Sequence, residues 1–306
     1  MTLRFANAHG RVRTIWFGAP RSSAAYLTLW PLTRGEKLGF GSAGRWSDLF
    51  STPVDDWYDF FRNQKTASAE WREEARAGGY PTPSLAMREE DRALWFDGYV
   101  KTYLERDLQA LSAIENVIDF RRLMRVTALR LGNLLNQAEL GRDIQLSRPS
   151  VHRYLDLLET SFQLVRVQPY SINRTKRLVR TPKAYWCDSA LALHLSGAGE
   201  PTGAYLENLV LSDLLAWKSA SIPPAEVFFW RTSSDLEVDF VIEHQNRLLP
   251  VEVKASRSLG SSDVRGMAAF RDDYGDACPG GLVLYDGEEV QWLSRRLLAV
   301  PWHRVM

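Results

Sequence analysis

A mixed α/β fold, in which a helical unit precedes a sheet flanked by helices, is predicted by three features of this 306-residue chain. The first is a pair of runs that alternate apolar and charged residues, Glu237-Val-Asp-Phe-Val-Ile-Glu243 and Leu249-Pro-Val-Glu-Val-Lys-Ala255. Period-two alternation marks half-buried strands, with Val238, Phe240 and Ile242 on one face and the acids on the other. The second is the order of elements around them. A helical run from Gly203 to Leu215 and a strand at 228–231 come before, and a helix over 263–274 and a strand over 281–285 come after. The third is a pair of short helices with capping residues near 136 and 147, joined by a tight turn, which is the pattern of a helix-turn-helix.

Composition sets the frame. With 45% hydrophobic and 25% charged residues, the chain is ordinary globular material, and its length corresponds to two or three domains. No stretch approaches 18 consecutive apolar residues, so no membrane span is expected. Met1-Thr-Leu-Arg-Phe-Ala-Asn7 lacks the apolar centre of a signal peptide. Cys187 and Cys278 have no metal-ligand spacing and read as reduced structural thiols, which points to the cytoplasm. The net charge of +1 means that any attraction to nucleic acid must come from local patches.

Taken in order, residues 11–18 and 26–32 read as strands, but residues 1–50 hold little apolar material for a core of their own. Trp57, Phe60, Phe61 and Trp71 predict a helix over 57–78, broken by Gly78-Gly-Tyr-Pro-Thr-Pro83. From Ser84 a long helix is predicted through Trp95, Tyr99, Tyr103 and Leu104, its aromatics read as core. An amphipathic helix follows over 118–131. Asn136 caps a short helix, and Ser147 caps the next, with Pro149 in its first turn, where a missing donor does little harm.

Strands at 163–169 and 183–187 flank a loop in the manner of a wing. Between 171 and 183 the charges are Arg174, Lys176, Arg177, Arg180 and Lys183, with no acid among them. Such a loop gains counterion-release energy on DNA phosphates, while Arg148, His152 and Arg153 stand where a recognition helix meets a groove. A purely protein-binding winged helix with a solvated basic loop is the competing reading.

The two alternating strands carry the chemistry. Placed around His244-Gln-Asn-Arg247, they read as a hairpin; Glu252 and Lys254 must share a face, and the antiparallel partner brings Asp239 beside them. Two carboxylates and an ammonium form a costly cluster unless a cation and a phosphate occupy it. Hard carboxylate oxygens with one amine suit magnesium or manganese, with Asp239 and Glu252 as ligands. The competing reading is a sheet with one solvated face, where acid-x-Lys is common.

The spacing Asp-x12-Glu-x-Lys resembles the core of the PD-(D/E)XK nuclease site. Gly78-Gly-Tyr-Pro81, Gly98-Tyr-Val-Lys-Thr-Tyr-Leu-Glu-Arg-Asp107, Tyr154-Leu-Asp-Leu-Leu-Glu159, Pro182-Lys-Ala-Tyr185, Asp188, Tyr205-Leu-Glu-Asn208, Glu237-Val-Asp-Phe240 and Glu252-Val-Lys254 occur in that order. Together, over about 78–275, they resemble the prokaryotic AAA-type ATP-binding proteins that carry a C-terminal DUF4143 domain. The resemblance implies a remnant of an ATPase module and a helical linker over 1–96, a winged helix-turn-helix over 97–198, and a restriction-endonuclease-like mixed sheet flanked by helices over 199–306. It also implies Glu207 as an extra catalytic carboxylate from the helix before the sheet. Tyr26-Leu-Thr-Leu-Trp-Pro-Leu-Thr-Arg-Gly-Glu36 is similar to the end of the ATPase module, yet no Gly-x-x-x-x-Gly-Lys-Ser/Thr occurs in the chain, so ATP is not expected as a cofactor.

Two functions follow as expectations. One is a metal-dependent DNA phosphodiester hydrolase using Glu207, Asp239, Glu252 and Lys254, or a degenerate relative of such an enzyme. The other is a non-catalytic winged-helix DNA-binding or adaptor protein. The partners implied are DNA, and either further copies of the chain or a separate ATPase.

Overall fold

The computed structural model describes residues 2–3, 13–16, 25–41, 43–64, 66, 68–108, 114–173 and 180–306, with side chains from residue 28 onward except that of residue 261. Three short strands, β1 (Thr2–Leu3), β2 (Arg13–Trp16) and β3 (Ala25–Leu27), pair antiparallel in a small sheet. Helices α1 (Arg34–Lys37), α2 (Trp46–Ser51), α3 (Trp57–Arg62), α4 (Trp71–Ala77) and α5 (Glu89–Tyr99) follow, and α5 runs on as a wider π-helical segment, Val100–Asp107.

Two helix expectations are corrected here. The helix predicted over 57–78 is two helices, ending at Asn63 and restarting at Trp71. Trp57, Phe61 and Trp71 still enter one core, so two short helices satisfy the same aromatic spacing. The helix predicted from Ser84 starts later. Ser84 lies in a separate turn, Thr82–Ala86, and Met87 is extended, so that α5 begins behind Arg88. The aromatic residues of α5 are core as expected: Tyr80, Tyr99 and the Gln163 amide oxygen form a buried hydrogen-bonded group.

The next helices match their sequence signals. In α6 (Val117–Leu129) the Asn116 side chain caps the first turn; in α7 (Gln137–Ile144) Asn136 accepts from Ala138 and Glu139 N–H groups; in α8 (Arg148–Thr160) Ser147 accepts from Ser150. Between α7 and α8 the chain turns through Gln145 in the left-handed region. Strands β4 (Leu164–Pro169) and β5 (Lys183–Trp186) then pair antiparallel, and α9 (Ser189–Ser196) is capped by Asp188. Gly78 ends α4 at φ +64, close enough to Asp188 that a Cβ there would lie 2.6 Å from Oδ1.

Helix α10 (Gly203–Ala220) leads into β6 (Glu226–Arg231), β7 (Glu237–His244), β8 (Arg247–Lys254), α11 (Arg265–Tyr274), β9 (Gly281–Tyr285), β10 (Gln291–Ser294), β11 (Leu297–Pro301) and α12 (Trp302–Val305). The predicted hairpin turns through Gln245 and Asn246, both at positive φ, which is the geometry whose twist matches paired strands. Eight strands form one mixed sheet in the order β10-β11-β9-β8-β7-β6-β4-β5, parallel at β8–β9, β9–β11 and β4–β6.

This sheet is covered on both sides. Leu282 and Leu284 of β9 enter the core shared with α10 and the N-terminal helices, while Val283 and Tyr285 enter the core under Met267 and Phe270 of α11. The expectation of half-buried strands is therefore corrected for β7 and β8, which are interior strands of a mixed sheet with helices on each face. Gly266 brings α11 against the start of β7, where a Cβ would lie 1.9 Å from the Glu237 carbonyl oxygen.

Candidate active site

β7 and β8 pair from the His244–Arg247 turn up to Phe240 and Val251, where their ladder stops. Beyond that point the Asp239 carboxylate replaces a backbone carbonyl, its Oδ2 accepting the Val253 N–H at 2.9 Å. On the other edge of β7 the register slips. Phe228 of β6 faces Val241 and Trp230 faces Val238, so Asp239 and Phe240 together stand against Phe229. Such a bulge re-aims a side chain. Val238 lies in the core under α11 and Phe240 in the opposite one, which corrects the expectation that they share a face.

The structure brings the four predicted catalytic residues into one neighbourhood. Asp239 and Glu252 are buried, at 7% and 8% exposure. Lys254 Nζ donates to Glu252 Oε1 at 2.6 Å, and Glu252 Oε2 has no hydrogen-bond partner among the described residues. From α10, Glu207 accepts the Tyr185 hydroxyl at 2.9 Å and lies close enough to Asp239 to be raised by its charge.

One participant was misread from the sequence. Lys183, counted among the wing charges, is buried as the first residue of β5; its ammonium pairs with Glu237 and stands 3.5 Å from Asp239 Oδ1. The pairing of β5 with β4 turns it inward, away from the loop. The available signal was its place in Pro182-Lys-Ala-Tyr185, beside the Tyr185 that holds Glu207.

Burial and mutual repulsion shape the charges. Burial first, and the neighbouring Asp239 second, push the Glu207 and Glu252 carboxyls up to about 8, against the pull of Lys183 and Lys254. Burial alone would lower the Lys183 ammonium, but Asp239, Glu207 and Glu237 outweigh it and hold that group above its ordinary value. Lys254 is raised in the same way, with Glu252 and Asp239 overcoming burial.

Whether these groups suit a divalent ion is decided by the donor set. Among the described residues no group of three or more His, Cys, Asp or Glu side chains is arranged to hold a metal. Magnesium, however, keeps several waters and needs only one or two carboxylates with substrate phosphate. Two adjacent buried carboxylates, one with an orphaned oxygen, fit that smaller requirement.

The predicted DNA-facing residues divide. Arg148 and His152, one helical turn apart, are exposed on α8, with His152 Nε2 3.2 Å from Asp156. Arg153 turns away to pair with Glu115 at 2.9 Å and lies over the Tyr154 ring. Arg180 is exposed; Arg174, Lys176 and Arg177 lie outside the described residues. Among the described residues no helix is long and apolar enough to cross a membrane.

Comparison with known proteins divides the chain at the cap of α10. Residues 68–202 match the model of a domain of unknown function, DUF8612, so the helical half has a family model of its own. The chain is 32% identical over 237 residues to uncharacterized proteins of Mycobacterium bovis and Mycobacterium tuberculosis, covering 75% of this chain and 52% of each relative. It is 21% identical over 211 residues to an uncharacterized protein of Haemophilus influenzae, covering 67% of this chain and 50% of the relative. The chain thus spans about half the length of the curated relatives it matches. No solved structure matches it. Residues 202–305, which include α10, Glu207, Asp239, Glu252 and Lys254, match the model of the domain of unknown function DUF4143.

Proposed function

We propose that the chain is a metal-dependent DNA phosphodiester hydrolase of PD-(D/E)XK type, with α7, α8 and the β4–β5 pair serving as a winged helix that holds the duplex. One observation carries this reading: Asp239, Glu252 and Lys254 meet where the β7–β8 ladder ends, with one oxygen of a buried glutamate left without a partner among the described residues. A structural sheet interior has no use for that arrangement, because a buried polar oxygen without a hydrogen-bond partner is destabilising. In this reading Asp239 and Glu252 hold magnesium or manganese, and the ion supplies Lewis-acid stabilisation of the phosphate oxygens.

The chain's own groups do the rest. Lys254, partly exposed beside Glu252, orients the attacking water or steadies the charge of the pentavalent phosphate. Water adds to phosphorus as one ester P–O bond breaks, leaving a phosphate monoester and an alcohol. Glu207 assists from α10, positioned by the Tyr185 hydroxyl. Arg148, His152 and Arg180, with Arg174, Lys176 and Arg177 of the loop, contact the DNA backbone. A segment of an AAA-type module before residue 97, and a separate ATPase or further copies of the chain as partner, complete the proposal.

Supercoiled plasmid incubated with millimolar manganese tests it. Nicked circles are expected, and Lys254→Ala should slow their formation roughly a hundredfold, the usual effect of removing one transition-state donor. If the wild type leaves the plasmid intact, or if Lys254→Ala nicks as fast as wild type, the adaptor reading replaces the catalytic one.

A further inference from the structure

Lys183 is placed to act on the same centre. It reaches the site from β5, three strands away from β7 in sheet order, and its side chain is 5% exposed. The ammonium lies 5.6 Å from the centroid of the Phe229 ring, pairs with Glu237, and stands 3.5 Å from Asp239 Oδ1. Asp239 is thereby held by two donors, this ammonium on one oxygen and the Val253 N–H on the other. Among the described residues Glu252, by contrast, is held on one oxygen, by a lysine that is itself partly exposed.

Resting on the metal-dependent reading above, we propose that Lys183 is the resident counter-cation of the carboxylate cluster, competing with a divalent ion for Asp239 and so setting the concentration at which the ion binds. A buried ammonium against the ligand oxygen stabilises the metal-free protein by compensating carboxylates that would otherwise repel one another. The same ammonium opposes an incoming dication. The ion must either move it or share Asp239 with it, and the enclosing Phe229 ring and β4–β5 pair leave it little room to leave. Metal-free stability and metal affinity are therefore set against each other at one residue.

Manganese affinity, read from the electron paramagnetic resonance signal of free Mn2+ at neutral pH, tests this without any turnover. Lys183→Met keeps the length of the side chain and removes its charge; Lys183→Gln also removes the charge but keeps a donor for Glu237, and serves if the methionine variant does not fold. Either neutral variant should bind manganese roughly tenfold more tightly than wild type while melting at a lower temperature without metal, and Lys183→Arg should bind as wild type does. Wild-type binding with unchanged or weaker affinity in the folded neutral variants overturns the proposal and leaves the metal site standing. No manganese binding in folded wild type or in the neutral variants overturns the metal site itself, and this proposal with it.

Discussion

Asp213 shows how one buried carboxylate can tune stability away from the candidate site. Its Oδ1 accepts the Gly44 N–H at 2.7 Å and the Trp46 indole N–H at 2.6 Å, tying α10 to the start of α2, while Oδ2 has no hydrogen-bond partner among the described residues. Asp213 lies on the wall of a cavity of about 30 Å³, room for one water. Burial pushes the group up from 3.8 to about 6, beyond the opposing pull of Trp46 and Gly44. The folded chain therefore binds more protons than the unfolded one between those values. The stability this provides is full below pH 4 and is lost as the pH rises through 6, a change of about 3 kcal/mol. Asparagine keeps an oxygen for both donors and cannot ionise. In urea titrations from pH 4 to 7.5, Asp213→Asn should gain on wild type by that amount as the pH rises; a constant offset across the range would show that Asp213 does not titrate there. Nothing local in Leu211-Ser-Asp-Leu-Leu215 marks this residue, because its partners, Gly44 and Trp46, are remote in sequence.

At the scale of elements, what was legible followed from local chemistry. Asn136 and Ser147 announced their helices because a cap acts within three residues, and Gln245-Asn246 announced the hairpin because the turn itself selects residues tolerant of positive φ. What was missed depends on partners distant in the chain. The bulge at Asp239–Phe240 arises from pairing with β6, and the burial of Lys183 from pairing with β4. The strands beyond Tyr285 carry weak signals of their own. Gln291–Ser294 is mostly exposed, and Leu297-Leu-Ala-Val-Pro301 is a continuous apolar run because both its faces are covered. The site survived these errors because opposing residues of an antiparallel hairpin are fixed by its turn. For the helix pair, the cap is directly testable. The Ser147 hydroxyl accepts the Ser150 N–H at 3.3 Å, so Ser147→Ala should cost about 1 kcal/mol and Ser147→Gly only a few tenths. Equal stability of the alanine variant and wild type in urea would show that the cap contributes nothing.

The whole molecule joins these scales through a single sheet. β4, on one side of the boundary between the matched domain models, pairs with β6 on the other, so one sheet runs across that boundary and carries both β5 and the candidate site. If Asp239 and Glu252 hold a divalent ion, the folded state binds it and the unfolded chain scarcely does, and manganese must raise the melting temperature. At an ion concentration 100 times Kd the gain is about 2.7 kcal/mol, a shift of several degrees for a chain of this size. Glu252→Gln separates this effect from charge repulsion. The Glu252 carboxyl is pushed up to about 8 by burial and Asp239, so at pH 7 it is mostly protonated and the amide resembles it. Without metal, the variant should melt near the wild-type temperature below pH 4.5, where the glutamate is protonated in both the folded and the unfolded chain. As the pH rises from there to 8 the unfolded glutamate ionises while the folded one resists, so the variant should become the more stable of the two, with no further change above pH 8. Asp239→Asn makes a poorer comparison, because it takes from the buried Lys183 ammonium one of its two partners. With manganese, only the wild type should gain. An equal manganese shift in Glu252→Gln would remove Glu252 from the metal site, and no shift in the wild type at millimolar manganese would remove the site altogether.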